Sequence, residues 1–175
     1  MTAITTPLLG FAAFSGTGKT TLLTQLIPIL KQDGLRLAVI KHSHHDFSID
    51  QPGKDSHRLR MAGANPVVLL SAYRQVVITE RDPEHAAQLT EAVAALCDQT
   101  LDLILVEGFR DEAFPKIELH RPSLGKPLLY PKDPNIIAIA SDQTLDTGGL
   151  LPCLDLNQPK SISHFIRNQF LTYTL

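Results

Sequence analysis

At 175 residues, 43% of them hydrophobic and 19% charged, the chain is long enough to bury a full core and reads as one domain, residues 1–175. Its 16 basic and 18 acidic residues give a formal net charge of −2, with no basic arm or stripe, which argues against a general nucleic-acid or polyanion binder. No charged-then-apolar leader opens the chain, no apolar run approaches membrane-spanning length, and Cys97 and Cys153 lack metal-ligand spacing, so a soluble cytoplasmic protein with small buried thiols is expected.

The first element carries the chemistry. Leu8 to Ala13 is an apolar run suited to a buried strand, and Phe14-Ser15-Gly16-Thr17-Gly18-Lys19-Thr20-Thr21 follows as a small, glycine-rich stretch opening into a helical pattern. Strand, glycine loop, Gly-Lys-Thr and helix together are the context of a phosphate-binding loop. Gly16 and Gly18 let the backbone curl so that successive N–H groups face phosphate oxygens, Lys19 supplies a mobile charge, and the Thr20 hydroxyl suits Mg²⁺. The candidate nucleotide-binding residues here are Ser15, Gly16, Thr17, Gly18, Lys19, Thr20 and Thr21. Ala13 replaces the glycine that usually opens the motif, which is tolerable if that residue keeps a negative φ. The plain alternative is a glycine-rich turn without a ligand.

Leu22, Leu23, Leu26, Ile27 and Leu30 share one face of the first helix, Pro28 should kink it, and Gly34 ends it. A second strand is expected over Leu35 to Ile40, then a polar connection from Lys41 to Gly53, and a short helix from Lys54 or Asp55 to Gly63. Val67 to Leu70 and Val76 to Thr79 are spaced as a hairpin. A helix opening at Asp82 or Pro83 uses Ala86, Ala87, Leu89, Ala92, Val93 and Leu96 for packing. Leu101 to Val106 is a near-continuous apolar run, typical of a central parallel strand covered on both faces. Further strands fall at Lys116 to His120, Ile136 to Ala140 and, at an edge, Leu154 to Leu156, with loop through Pro122, Pro127, Pro131 and Pro134 and a closing helix from Ser161 to about Leu171. The fold class is α/β, three layers around a mainly parallel sheet, with a short antiparallel hairpin.

Ligands gather at the carboxyl ends of parallel strands. Five residues at about 3.3 Å each set Asp102 roughly 16 Å below Glu107, so Glu107 is the acid expected near Mg²⁺ and Asp102 caps the buried lower end of the strand. Gly108 then lets the backbone turn close to the phosphates. A solvated strand end is the bland reading of Glu107. His42, His44, His45 and Asp46 follow the second strand at the same end of the sheet, where a polar loop reaching the nucleotide or a partner is preferred over a zinc site. Asp46 and Asp50 are alternatives for orienting water or Mg²⁺, and Pro52-Gly53-Lys54-Asp55-Ser56 is a second glycine-led helix start with donors for phosphate.

The blocks Leu9 to Thr21, Ile40 to Asp46, Pro52 to Ser56, Asp102 to Phe109, Ile139 to Asp142 and Leu154 to Asn157 resemble, in this order and through nearly the whole chain, the MobB family of molybdopterin-guanine dinucleotide biosynthesis proteins. Ala13 fits what that family tolerates. The resemblance implies a P-loop NTPase fold and a dimeric GTP-binding protein with weak GTPase activity. It also implies an accessory role beside the guanylyltransferase that joins a guanine nucleotide to molybdopterin. Carried across by motif, Gly16 to Thr20 hold phosphates, Thr20 and Glu107 lie near Mg²⁺, Lys19 and Glu107 serve hydrolysis, and Pro52, Gly53, Lys54 and Asp55 add a nucleotide contact. Guanine itself is not legible, because no Asn-Lys-x-Asp or Thr-Lys-x-Asp closes a strand; Asp142, Asp155 and Asn157 are possible substitutes. Two other readings stand beside this one. A small-molecule kinase would use the same loop, although Arg58, Arg60, Arg74 and Arg110 are too dispersed to mark a lid. A metallochaperone GTPase would deliver an ion through the loop His42 to His45.

Overall fold

The computed structural model describes residues 6–43, 46–82, 84–96 and 99–174. The chain clusters into two compact units, Met1–His42 with Gln88–Leu175, and Ser43–Ala87.

The larger unit is built on six parallel strands: β1 (Leu8–Ala12), β2 (Leu37–Lys41), β5 (Leu103–Glu107), β6 (Lys116–His120), β7 (Ile136–Ser141) and β8 (Cys153–Asp155), in the order β2-β5-β1-β6-β7-β8. Because every strand points the same way, all six carboxyl ends, and the loops that leave them, lie along one edge. Alternation along β5 explains the layers. Leu103 and Leu105 face one core with Leu9, Phe11 and the leucines of α1 (Lys19–Gln32), closed by Ile162 and Phe165 of α4 (Pro159–Phe165). Ile104 and Val106 face a second core with Phe114 and with Leu89 and Val93 of α3 (Leu89–Ala94). A strand covered on both sides has no polar face to show, hence its unbroken apolar run.

Over β6 the second face is covered differently. Ile117 and Leu119 join the helical core, while Lys116 and Glu118, each 1% exposed, point the other way. Glu118 accepts the backbone N–H groups of Leu129 (2.7 Å) and Tyr130 (2.9 Å). Lys116 donates to the Glu112 carbonyl (2.6 Å) and to Asp133 (2.9 Å). The proline-rich segment before β7 is thus pinned over the sheet by buried charge rather than by a helix.

Several boundaries differ from the sequence expectation, for local reasons. β2 starts at Leu37, not Leu35, because the Leu35 N–H closes α1 onto the Leu30 carbonyl (3.1 Å) beyond left-handed Gly34. α1 runs unbroken through Pro28, which lies on its exposed side, where water can satisfy the carbonyl that loses its donor. α3 begins at Leu89 rather than at Asp82 or Pro83: Gln88 and Glu91 form a capping box, with Glu91 accepting the Gln88 N–H at 3.1 Å, and Ala86 and Ala87 stay exposed ahead of it. Pro83 lies outside the described residues. The closing helix starts at Pro159, where a proline costs no hydrogen bond, and becomes π-helical over Ile166–Phe170 before α5 (Leu171–Thr174).

The smaller unit holds α2 (Asp55–Met61) and the antiparallel hairpin of β3 (Val67–Leu70) and β4 (Gln75–Ile78). Its charged centre is Arg60, which donates to buried Asp50 (3.0 Å) and to Glu80. Val68, Leu70 and Val77 are exposed on one face of the hairpin. Among the described residues no helix is long and apolar enough to cross a membrane.

Candidate functional site

The loop between β1 and α1 has the shape its residues call for. Gly16 and Gly18 sit at φ +82° and +101°, and Ala13 keeps a negative φ, so its methyl group is accommodated. Thr17 is buried, and its hydroxyl and N–H both turn back to the Phe14 carbonyl at 2.8 and 3.4 Å. That side chain closes the loop on itself. Ser15, Gly16, Thr20 and Thr21 are exposed around the mouth of the loop. Lys19 arches over it and donates to the Ala13 carbonyl at 3.2 Å. Left-handed turns on both sides of Thr17, followed by the start of a 14-residue helix, make an anion cradle.

Strand register brings the second half of the site alongside. Glu107 is paired with Phe11 of β1 on one side and with Lys41 of β2 on the other, and its carboxylate meets the Lys41 ammonium at 3.0 Å. Burial pushes the Lys19 ammonium below the usual lysine range; Glu107 opposes that shift, while Lys41 and Arg110 add to it. Lys19 and Lys41 thus share the field of one carboxylate, Glu107, while Arg110, paired with Asp111 at 3.7 Å, lies near enough to Lys19 to add to the positive charge there. The donor set also suits a hard cation, with the Thr20 hydroxyl at the loop mouth and Glu107 on the adjoining strand tip both offering oxygen.

On the other flank Arg121, immediately after β6, donates from Nε to the Thr17 carbonyl (2.9 Å) and from Nη1 to Asp142 Oδ2 (2.6 Å). Beyond it, at the carboxyl ends of β7 and β8, lies a cavity of about 340 Å³ lined by Ser141, Asp142, Cys153, Asp155 and Asn157 among others. A second cavity, about 540 Å³, opens beside the loop between Phe14, Arg110 and the pinned segment Leu128 to Asn135.

Some expected roles change. Gly108 (φ +107°) makes room for His42: a Cβ there would stand 2.5 Å from the His42 Cβ. The His42 ring stacks on Phe109 at 4.4 Å, so it belongs to this packed corner. His44 and His45 lie outside the described residues, and among the described residues no three His, Cys, Asp or Glu side chains gather as a metal site. Asp50 is engaged by Arg60, which donates to both of its oxygens (3.0 and 3.4 Å). Asp102 is not a buried cap; partly exposed, it accepts the N–H, Nε and Nη2 of Arg36 at 2.7, 2.9 and 2.6 Å and ties the entry of β2 to β5. Cys153 is exposed, against expectation, because its short strand is the edge of the sheet; Cys97 lies outside the described residues. Pro52, Gly53, Lys54 and Asp55 form the exposed turn into α2 of the smaller unit, with Gly53 at φ +84°. Lys41 and Arg121 escaped the sequence reading. Each sits at the end of a strand on the ligand edge, but only strand register shows what it meets.

A central parallel strand, a Gly-Thr-Gly-Lys-Thr loop and a helix packed beneath it, with an acidic residue on the neighbouring strand tip, define a P-loop NTPase fold. The chain belongs to the MobB family, whose model, described as molybdopterin guanine dinucleotide synthesis protein B, matches residues 8–142. It is 45% identical over 161 residues to the molybdopterin-guanine dinucleotide biosynthesis adapter protein of Escherichia coli K12, covering 91% of each chain. It is 44% identical over 164 residues to the adapter protein of the same name from Haemophilus influenzae, covering 93% of this chain and 88% of that one. Among solved structures, a crystal structure of molybdopterin-guanine biosynthesis protein B superposes with a TM-score of 0.73 at 27% identity, over 94% of this chain and 99% of that one.

Proposed function

We propose that this protein is a cytoplasmic adapter in molybdopterin-guanine dinucleotide biosynthesis that binds GTP with Mg²⁺, hydrolyses it slowly, and acts on a partner guanylyltransferase and its molybdopterin. Family membership supports the adapter role. The observation that supports nucleotide binding is the glycine cradle with Lys19 arched over it. Gly16, Gly18 and Lys19 present N–H groups and charge to the phosphates, and Thr20 and Glu107 would hold Mg²⁺. The cation, when bound, neutralises charge on the outer phosphates and so eases their transfer to water. A homodimer is part of this reading: Val68, Leu70 and Val77 on the hairpin form an apolar face that a second copy would cover.

The test is a Mg²⁺-dependent titration of the whole chain with GTP and ATP, followed by turnover of each. Wild type should bind GTP in preference and release phosphate slowly, and Lys19→Ala should lose triphosphate binding. Unaltered GTP affinity in that variant would sink the loop assignment. A second reading, phosphoryl transfer to a small molecule, is favoured by one observation, the cavity beside Phe14 and Arg110. It requires fast turnover that appears only when an acceptor is added.

A further inference from the structure

We infer that Lys41 and Mg²⁺ are alternative partners of the Glu107 carboxylate, and that the ammonium so displaced binds the terminal phosphate of GTP, making Lys41 the residue that tells GTP from GDP. The inference deepens the nucleotide reading above and rests on it.

Strand register places the groups. Lys41, Glu107 and Phe11 stand in line across β2, β5 and β1. Two strand spacings of about 4.8 Å set the Lys41 backbone roughly 10 Å from that of Phe11, just before the glycine loop. Alternation fixes the face. Leu37, Leu103 and Leu105, an even number of residues below Lys41 and Glu107, pack with the leucines of α1. Both charged side chains therefore stand on the face where Lys19 opens α1. The Lys41 charge is felt at Lys19, where it helps to hold that ammonium below the usual lysine range.

The base of Lys41 is fixed and its head is not. The next residue, His42, donates its N–H to the Glu107 carbonyl at 2.8 Å, and its ring stacks on Phe109 at 4.4 Å. The Lys41 side chain is nonetheless 60% exposed, against 14% for Glu107. An ion pair open to water is weak, so the ammonium exchanges at little cost while the more buried carboxylate stays where its strand puts it.

Chemistry makes the two cations exclusive. The ammonium sits 3.0 Å from Oε1 of Glu107. Mg²⁺ demands a near-octahedral shell, keeps several waters, and repels an ammonium that touches the same carboxylate. In phosphate-loop sites the cation bridges the two outer phosphates, so an ammonium released from Glu107 has the terminal phosphate as its new anion. Lysine suits this exchange, with a compact charge on a flexible four-carbon stem. Arg110, the other cation acting on Lys19, has Asp111 beside it at 3.7 Å and lies beyond the strand tip, outside the row.

The experiment titrates GTP and GDP at graded Mg²⁺ concentrations on wild type, Lys41→Met, Lys41→Arg and Lys19→Ala, with urea midpoints alongside. Lys41→Met should lose about tenfold of the GTP:GDP affinity ratio, the loss usual for a hydrogen bond between charged groups, with GDP affinity at saturating Mg²⁺ unchanged. In the same variant the Mg²⁺ concentration that half-saturates GDP binding should fall about two- to fivefold, because a competitor for Glu107 is gone. Lys41→Arg keeps the charge and should recover most of the ratio. A lysine that only ties β2 to β5 would shift the urea midpoint and move neither binding readout. An unchanged ratio or an unchanged Mg²⁺ midpoint in Lys41→Met, with Lys19→Ala still abolishing binding, overturns the inference and leaves the nucleotide reading intact. No GTP binding by wild type, or binding that survives Lys19→Ala, overturns both. Where Lys41→Met does not fold, Lys41→Gln yields the same two readouts.

Discussion

At the scale of single residues, the site is a balance of charge around Glu107. Its carboxylate faces the Lys41 ammonium at 3.0 Å and supports the positive charge of Lys19 against burial. Glu107→Gln keeps the shape and removes the charge. Hydrolysis of GTP in single-turnover assays is expected to fall about 10–100-fold while GTP affinity falls much less, as is usual when a group that orients a cation is neutralised. An equal fall in both would reassign Glu107 to binding. The loop residues were legible because their chemistry is local: Gly16, Gly18, Lys19 and Thr20 declare themselves in five consecutive positions. Arg121 was not. It is far in sequence from Thr17, and only the pairing of β6 with β1 brings the two together. The same holds for Lys41, which gains its meaning from its register with Glu107.

At the scale of elements, β6 shows why a strand can be recognised and yet misunderstood. Its alternation is visible in the sequence, but nothing local tells that the charged face of Lys116 and Glu118 is buried, as the structure has it. Glu118 is held above the ordinary carboxylate range by burial, a shift that the N–H groups of Leu129 and Tyr130 oppose. Glu118→Ala strands those two donors, each worth about 1–3 kcal/mol when buried without a partner. Urea denaturation should report that loss, and an unchanged midpoint would mean that the segment is anchored elsewhere. α3 was misplaced for the opposite reason. Alanine-rich sequence after Asp82 satisfies helical periodicity, but the capping box at Gln88 and Glu91 supplies a sharper local start. Strands and the hairpin were legible to within a residue or two, since alternation and turn residues suffice for them.

At the scale of the whole molecule, acid stability depends on how the edge strand β2 is tied to β5. The Arg36 guanidinium and N–H hold the Asp102 carboxyl down to about 2, below its ordinary 3.8. A lowered carboxyl stabilises the folded state at pH values above its unfolded titration. That contribution is complete above about pH 4 and is lost as the pH falls toward 2. In Asp102→Asn the acid limb of a stability-against-pH curve should flatten in that window by the same amount that the variant loses at neutral pH, an amount kept modest because the pair is partly exposed. Thermal melts from pH 7 to pH 2 check this, and parallel curves for the two proteins would count against it.

The sheet order also sets a timetable. β1 is made first, but its neighbours are β5, through Leu8 and Ile104, and β6, through Gly10 and Lys116, which leave the ribosome roughly a hundred residues later. Until then the glycine loop has a strand with no sheet to stand in, and its exposed apolar run must wait without a partner. The phosphate-binding loop therefore acquires its sheet only after synthesis has passed β6.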